Sequence, residues 1–350
     1  MTGFMIILLS GILSIKLQKL NYLIVPFSPA LLILLPQDEI NMIVHYEYEN
    51  LNLRNPFVTV GVFDGVHLGH RALLERLVLR AREGDGESVV ITFNPHPRLV
   101  LSEKKEEPFS LSTIDEKKEL LELSGIDHLI IMNFTRELGN MDAADFIGEI
   151  LFGKIGVKHL LVGYDNHFGK DKGGDFKKIR ECSEMYNFEI EQVEGIYAQE
   201  GIISSTTIRE ALIQGRVEDA GRLLGYNYKL SGIVVEGRKI GHKLGFPTAN
   251  IKPADIFKLI PADGVYAVEV TYSNLKFPGM LSIGYNPTVN NDRTQKSIEV
   301  NIFGSDADLY GCVITVIFRY RLREERKFKD TEHLAMQMKL DKEAALRLLD

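Results

Sequence analysis

Cysteine is nearly absent from this 350-residue chain: only Cys182 and Cys312 occur, with no CxxC pair and no Cys/His cluster. Neither a zinc site nor a disulfide framework is expected, and a reducing compartment is the simplest fit. An excess of positive charge is missing as well. The net charge is -7 and the basic residues are scattered, which argues against nucleic acid as a main partner. Long apolar runs are also missing. From Met1 to Pro36 the only charges are Lys16 and Lys19, but Lys, Asn and Pro interrupt the runs Phe4 to Ile15 and Leu20 to Leu35. Each run falls short of the roughly 18 uninterrupted apolar residues a membrane span needs. No positive n-region precedes the first run and no small-x-small site closes it, so a signal peptide fits poorly. Two readings of residues 1–41 stay open: translation starting at Met42, where a globular texture sets in, or a hydrophobic anchor.

What is present is globular. Hydrophobic residues make up 45% of the chain and charged residues 25%, and the length allows two domains with a core each. A soluble, cytoplasmic, enzyme-like protein is the expectation.

Phe57 to Val62 is a β-branched run that reads as a buried strand. It leads into Phe63-Asp-Gly-Val-His-Leu-Gly-His70, and the spacing of Leu73, Leu74, Leu77 and Val78 then predicts a helix ending near Arg82. Strand, glycine turn and helix place backbone N–H groups and a helix N-terminus where an anion would sit. Gly61, Phe63, Asp64 and Gly65 are the candidate phosphate-binding residues of this turn. Strand-like runs at Val89 to Phe93, Leu129 to Met132, Leu160 to Gly163 and Phe188 to Val193 alternate with helical stretches near Ile114 to Leu123, Ala143 to Phe152 and Phe176 to Tyr186. This alternation predicts a Rossmann-like parallel sheet with its ligand at the carboxyl ends of the strands.

Ser204-Ser-Thr-Thr-Ile-Arg209 opens a further helix with hydroxyls in its first turn, where they would cap the helix or bind phosphate. After Gly225 helical periodicity gives way to short runs: Leu230 to Val235, Val265 to Thr271, Met280 to Ile283, Ile298 to Phe303 and Val313 to Phe318. These predict a small antiparallel β-barrel, closed by a helix from Thr331 to Leu349 with Leu334, Met338, Ala345 and Leu348 inward. The expected division is an extension over 1–41, an α/β domain over 42–225 and a barrel domain over 226–350.

Two groups carry chemistry. His67 and His70 lie two residues apart in the glycine turn, close enough to face one phosphate and donate to oxygens that gain charge during transfer. Surface or capping histidines would give the same spacing. In Gly241-His-Lys-Leu-Gly-Phe-Pro-Thr-Ala-Asn250, Gly241 and Gly245 would let backbone approach a phosphate, while Thr248 and Asn250 offer oxygens to a metal–phosphate pair.

The segment Gly61 to His70 resembles the HxGH signature of the nucleotidyltransferase superfamily. Asn94-Pro-His-Pro97, Val162 to Gly169 and Ser204 to Arg209 narrow the resemblance to the FAD synthetase module of bacterial bifunctional riboflavin kinase/FAD synthetase. Gly232, Gly241 to Asn250, Asp263 to Tyr266, Ile283 to Thr288, Glu299, Leu309 to Gly311 and Leu322 to Glu325 resemble its riboflavin kinase module, so the likeness runs from about Met42 to the C-terminus. It implies two ATP-dependent steps, riboflavin to FMN and FMN to FAD, with Mg²⁺, and small-molecule substrates as the partners. In the first module His67 and His70 would stabilise the α-phosphate, while Arg209 with Ser205 and Thr206 would hold pyrophosphate. Asn94 and Asp165 would approach the flavin or nucleotide. In the second module Glu299 would be the base, Thr248 and Asn250 the Mg²⁺ and phosphate site, and Arg323 part of a segment closing over the substrates. A solvent-facing strand glutamate and a solvated charge run are the plain readings of Glu299 and Arg323. The sequence departs from the family pattern at Asn166, His167, His242 and Gly304-Ser305; the first two bear on flavin contacts in the adenylyl site.

Overall fold

The structure, a computed structural model, describes residues 22–27, 31–36, 42–102, 108–164, 176–198, 201–237, 245–285, 296–305 and 307–350. Asp165, Asn166, His167, Gly241, His242 and Lys243 lie outside the described residues. The chain divides into two compact units, one of residues 1–105 with 114–197 and the other of 106–113 with 198–350. The expected division at residue 225 follows the change from helical to strand-like periodicity, whereas this one follows packing. Helices near residues 205–224 therefore pack with the barrel.

In the first unit β1 (Tyr22–Phe27) and β2 (Leu31–Pro36) form an antiparallel pair. The main sheet contains β3 (Ile43–His45), β4 (Pro56–Val60), β5 (Glu87–Asn94), β6 (His128–Asn133), β7 (His159–Gly163) and β8 (Glu189–Val193). All its pairs are parallel, in the order β3-β6-β5-β4-β7-β8. Between the strands run α1 (Leu68–Glu83), α2 (Pro97–Leu101), α3 (Ile114–Glu122), α4 (Arg136–Gly139), α5 (Ala143–Asp145) and α6 (Phe176–Tyr186). The stretch expected to be helical from Ala143 to Phe152 is helical, but Phe146–Phe152 widens into a π-helix.

Strands buried on both faces read as continuous apolar runs, and β4 is buried at every residue. Val58, Val60, Val89, Ile91, Ile130 and Leu160 join one core with the π-helix residues Ile147, Ile150 and Leu151. From β4 the chain winds outward through β5 and β6 on one side, then returns to β7 and β8 on the other. The carboxyl end of β4 is thus the point where strand order reverses, which is where ligands bind in open α/β sheets.

After β9 (Tyr197–Ala198) and β10 (Gly201–Ile202), the second unit carries α7 (Ser205–Ile213) and α8 (Val217–Leu224). Gly225 ends α8 in the left-handed region, φ 77°. The barrel is closed in the order β11-β12-β15-β14-β13-β16, from β11 (Lys229–Val235), β12 (Ala249–Pro253), β13 (Gly264–Tyr272), β14 (Leu275–Tyr285), β15 (Lys296–Ile302) and β16 (Val313–Arg323). Its interior includes Leu230, Val268, Val316 and Phe318, all fully buried. Tyr266 meets Phe318 edge-on at 5.3 Å, and its hydroxyl donates to the Ala262 carbonyl at 2.6 Å. Burial pushes that phenol up to about 12.

One barrel strand was not anticipated. β12 begins at Ala249, so the Ala-Asn end of the expected loop is already sheet. α9 (Thr331–Leu349) closes the barrel as expected, with one correction. Leu348 is 44% exposed, whereas Met338, Ala345, Leu346 and Leu349 join the cluster with Ala267, Met280 and Phe303. A helix advances 100° per residue, so Met338, Ala345, Leu346 and Leu349 share an arc of about 100° and Leu348 falls about 60° beyond its Ala345 edge.

Candidate active sites

The loop from Gly61 to His67 joins β4 to α1 at the reversal point. Its backbone is constrained: Phe63 (φ 49°), Gly65 (φ 81°) and Val66 (φ 36°) all have positive φ. A β-branched residue there is a genuine outlier. Val66 is wholly buried and Phe63 nearly so, so packing holds the turn in place. Phe63 offers a ligand only its backbone. Gly61 N–H donates to Ile91 O at 3.0 Å, tying the loop to β5.

His67 is the N-cap of α1, and its Nδ1 accepts the His70 N–H at 3.3 Å. An accepting Nδ1 places the proton of the neutral ring on Nε2, as a donor. The His67 and His70 rings stack at 3.6 Å and 17°, and Phe63 meets His70 edge-on at 5.1 Å. His70 is partly exposed, yet its Nδ1 is buried with no hydrogen-bond partner. Burial, then the charges of His67 and Lys117, hold its imidazole well below the usual histidine range. The site therefore presents two imidazole rings and a helix N-terminus, with no acidic residue in the first turn of α1, an arrangement suited to phosphate. Asn94 is exposed at the carboxyl end of β5, beside β4. Asp64 is buried and its carboxylate acts on Lys117, so it braces the loop from within.

The sequence reading missed Lys117. It lies on the buried face of α3 with Leu120 and Leu121, and its Nζ donates to Val62 O at 2.7 Å and reaches Thr92 Oγ1 at 3.4 Å. Burial pulls its ammonium down to about 8, against the pull of Asp64. The signal was available, since residue 117 precedes Leu120 and Leu121 at helical spacing.

Arg209, Ser205 and Thr206 lie in the second unit. Ser204 caps α7, accepting Thr207 N–H at 3.2 Å, so the capping reading holds for that hydroxyl. Ser205 and Thr206 follow in the first turn. Arg209 Nε donates to Phe109 O at 2.8 Å, with its guanidinium 5.9 Å from the Phe109 ring.

The barrel site forms where β12 pairs with β15. Asn250 is opposite Glu299 in the register. Ile298 and Val300 face the core, so the period-2 alternation puts Ser297, Glu299 and Asn301 on the other face. Glu299 is half-buried there: Thr248 Oγ1 donates to one carboxylate oxygen at 3.2 Å and Ser297 Oγ to the other at 2.9 Å. Asn301 Nδ2 donates to Pro247 O at 2.5 Å, fixing the approach to Thr248. A cavity of about 790 Å³ opens at Pro247, Thr248 and Asn250, lined also by Glu236, Gly237, Asp308 and Tyr310; from β15 it is lined by Val300 and Ile302 rather than by Glu299. A Cβ at Gly237 would meet the Asn250 amide, so a glycine there leaves that side chain its present position. Gly245 turns with φ 81°.

Thr248 uses its one proton on Glu299, which leaves its oxygen as an acceptor beside the Asn250 amide. Hard oxygen donors of this kind suit Mg²⁺ held chiefly by phosphate. Among the described residues no group of three or more His, Cys, Asp or Glu could hold a metal alone. Arg323 ends β16 in an ion pair with Asp341 of α9: Nη2 to Oδ2 is 2.8 Å and Nε reaches both oxygens near 3.0 Å. Asp341, 4% exposed, was also missed, although it falls on the same stripe as Met338 and Ala345.

Residues 49–207 match the family described as FAD synthetase, and residues 224–349 the family described as riboflavin kinase. The chain is 37% identical over 286 residues to the bifunctional riboflavin kinase/FMN adenylyltransferase of Escherichia coli (strain K12), covering 81% of this chain and 90% of that one. It is 35% identical over 301 residues to the protein of the same name from Pseudomonas fluorescens, covering 84% and 93%. A crystal structure named for a macrolide-efflux protein of Streptococcus pneumoniae matches with a TM-score of 0.77 at 31% identity, over 87% of this chain and 98% of that one. Among the described residues no helix is long and apolar enough to cross a membrane.

Proposed function

The chain belongs to the bifunctional riboflavin kinase/FMN adenylyltransferase family, and we propose how its two sites divide that work. Riboflavin is phosphorylated by ATP in the barrel, and the FMN formed is adenylylated by a second ATP at the carboxyl edge of the parallel sheet. We assign the first step to residues 226–350 and the second to 42–225, as catalytic modules that do not coincide with the packing units.

The observation that carries the barrel assignment is the Glu299 carboxylate, held by Thr248 and Ser297 opposite Asn250. A primary hydroxyl must lose its proton to attack the γ-phosphate, and a carboxylate oriented by two hydroxyls is placed to take it. Thr248 and Asn250 would hold Mg²⁺, which neutralises phosphate charge when bound. Gly241 and Gly245 would bring backbone to the phosphates, and Arg323, released from Asp341, would approach them from the end of β16.

The adenylyl step needs no such base, because the FMN phosphate is already an anion near pH 7. It needs donors for the α-phosphate as charge develops there, and this is the role assigned to His67, His70 and the N–H groups of Gly61, Phe63, Asp64 and Gly65. Arg209, Ser205 and Thr206 would take the leaving pyrophosphate, with Asn94 and Asp165 toward flavin or nucleotide. The cytoplasm is the compartment that fits two unpaired cysteines, Cys182 buried and Cys312 exposed.

The test is to incubate the chain with riboflavin, ATP and Mg²⁺ and separate the flavins over time. FMN should appear first and FAD follow from it. FAD formation without FMN as an intermediate, or neither product, refutes the assignment.

A further inference from the structure

Lys117 is a buried ammonium that neither step uses. We propose that it is a positioning residue for adenylyl transfer, clamping the β4–α1 loop from beneath so that the glycine turn and the His67–His70 pair keep their places against phosphate. The inference rests on the reading of that loop as the adenylyl site.

Four observations meet at this side chain. Its Nζ donates to Val62 O at 2.7 Å, just before the positive-φ residue Phe63. Thr92 Oγ1 of β5 donates to the same carbonyl at 3.1 Å, so strand and helix converge on one loop atom. The buried carboxylate of Asp64, next in the loop, acts on the ammonium. The ammonium in turn acts on His70, helping to keep that ring neutral. Strained backbone persists only where its surroundings over-determine it, and here the surroundings include a cation under a carbonyl. The facing charged groups are Asp64 from the loop and His70 from α1; Thr92 adds no charge. Burying an ammonium opposes folding, and apolar replacements of buried ions are often at least as stable. A residue that disfavours folding at a ligand site is better explained by what it does to the loop.

The test uses the full chain with Lys117→Met, and His70→Ala as the reference. Lys117→Met should lower kcat for FMN adenylylation on the order of 10- to 100-fold, with KM for ATP little changed and riboflavin phosphorylation intact. The NMR titration midpoint of His70 should rise toward the ordinary imidazole value. A merely structural role would lower the folded fraction and leave kcat per folded molecule unchanged. Wild-type adenylylation kcat in the folded variant overturns the proposal, as does lost activity with an unmoved midpoint. If Lys117→Met fails to fold, Thr92→Val decides, because it removes the other donor to Val62 O: adenylylation kcat should fall with phosphorylation intact, and an unchanged kcat overturns the clamp. A fully active His70→Ala enzyme would instead remove the premise, the adenylyl reading of the loop.

Discussion

The two sites are built by opposite means. In the parallel-sheet unit the site is a strained loop: positive φ at Phe63, Gly65 and Val66, two stacked imidazoles and a helix N-terminus. In the barrel it is a regular wall, where register alone puts Asn250 opposite Glu299 and two hydroxyls fix the carboxylate. On the proposed assignment the difference follows the proton inventory of the two reactions. A hydroxyl nucleophile needs a base, which a strand holds rigidly by its pleat. A phosphate nucleophile needs none, and the protein provides only donors shaped around developing charge, which a loop with unusual φ values aims better than a ladder.

The sharpest way to break this contrast is to remove the carboxylate proposed as the base. Glu299→Ala should lower riboflavin phosphorylation by about 10³-fold and leave FAD formation from supplied FMN unchanged. Next comes His70→Ala, expected to lower FMN adenylylation by about 10²-fold with phosphorylation intact. Each half-reaction is assayed separately by flavin chromatography. Either variant losing both activities while folded would mean the sites are not separate.

A smaller effect tests the barrel's own stability. Asp341→Ala leaves Arg323 without its buried partner and should destabilise the barrel by about 3 kcal/mol, read from urea unfolding. Asp341→Leu with Arg323→Leu should recover most of that loss. The smallest effect belongs to Lys117. Its folded value is about 8 against an unfolded value of about 10.4, so the unfolded chain holds the proton more tightly between them. Its contribution to stability is full above about pH 10.4 and declines as pH falls to about 8, by about 1 kcal/mol per unit. Urea midpoints at pH 8 and 9 should differ in that sense, and Lys117→Met should flatten the difference.

Much of this was legible in the amino-acid order. Alternating β-branched runs and helical spacings gave a parallel sheet and then a barrel, because burial on two faces or one writes itself into period and composition. β12 was hidden because its residues are the polar tail of the phosphate loop, and a functional stretch need not alternate like a strand. The widening at Phe146–Phe152 has no signature in apolar spacing. Lys117 and Asp341 were passed over for one reason: each is a charged residue on an apolar stripe, and periodicity alone treats such a position as a gap. Leu348 was placed inward by its spacing, although it falls beyond the edge of the arc that faces the barrel.

The closed barrel has a further consequence, for aggregation. Its six strands leave no unpaired edge, so the barrel itself offers no template for strand addition by another chain. The parallel sheet has two edges, and each is blunted differently. β3 has only three residues, too few to seat a long partner. β8 is longer but carries Glu189, 81% exposed, and Glu191 with its arginines Arg76 and Arg80. Two chains meeting at β8 would bring like carboxylates together in register, a repulsion that guards the one long edge of the sheet.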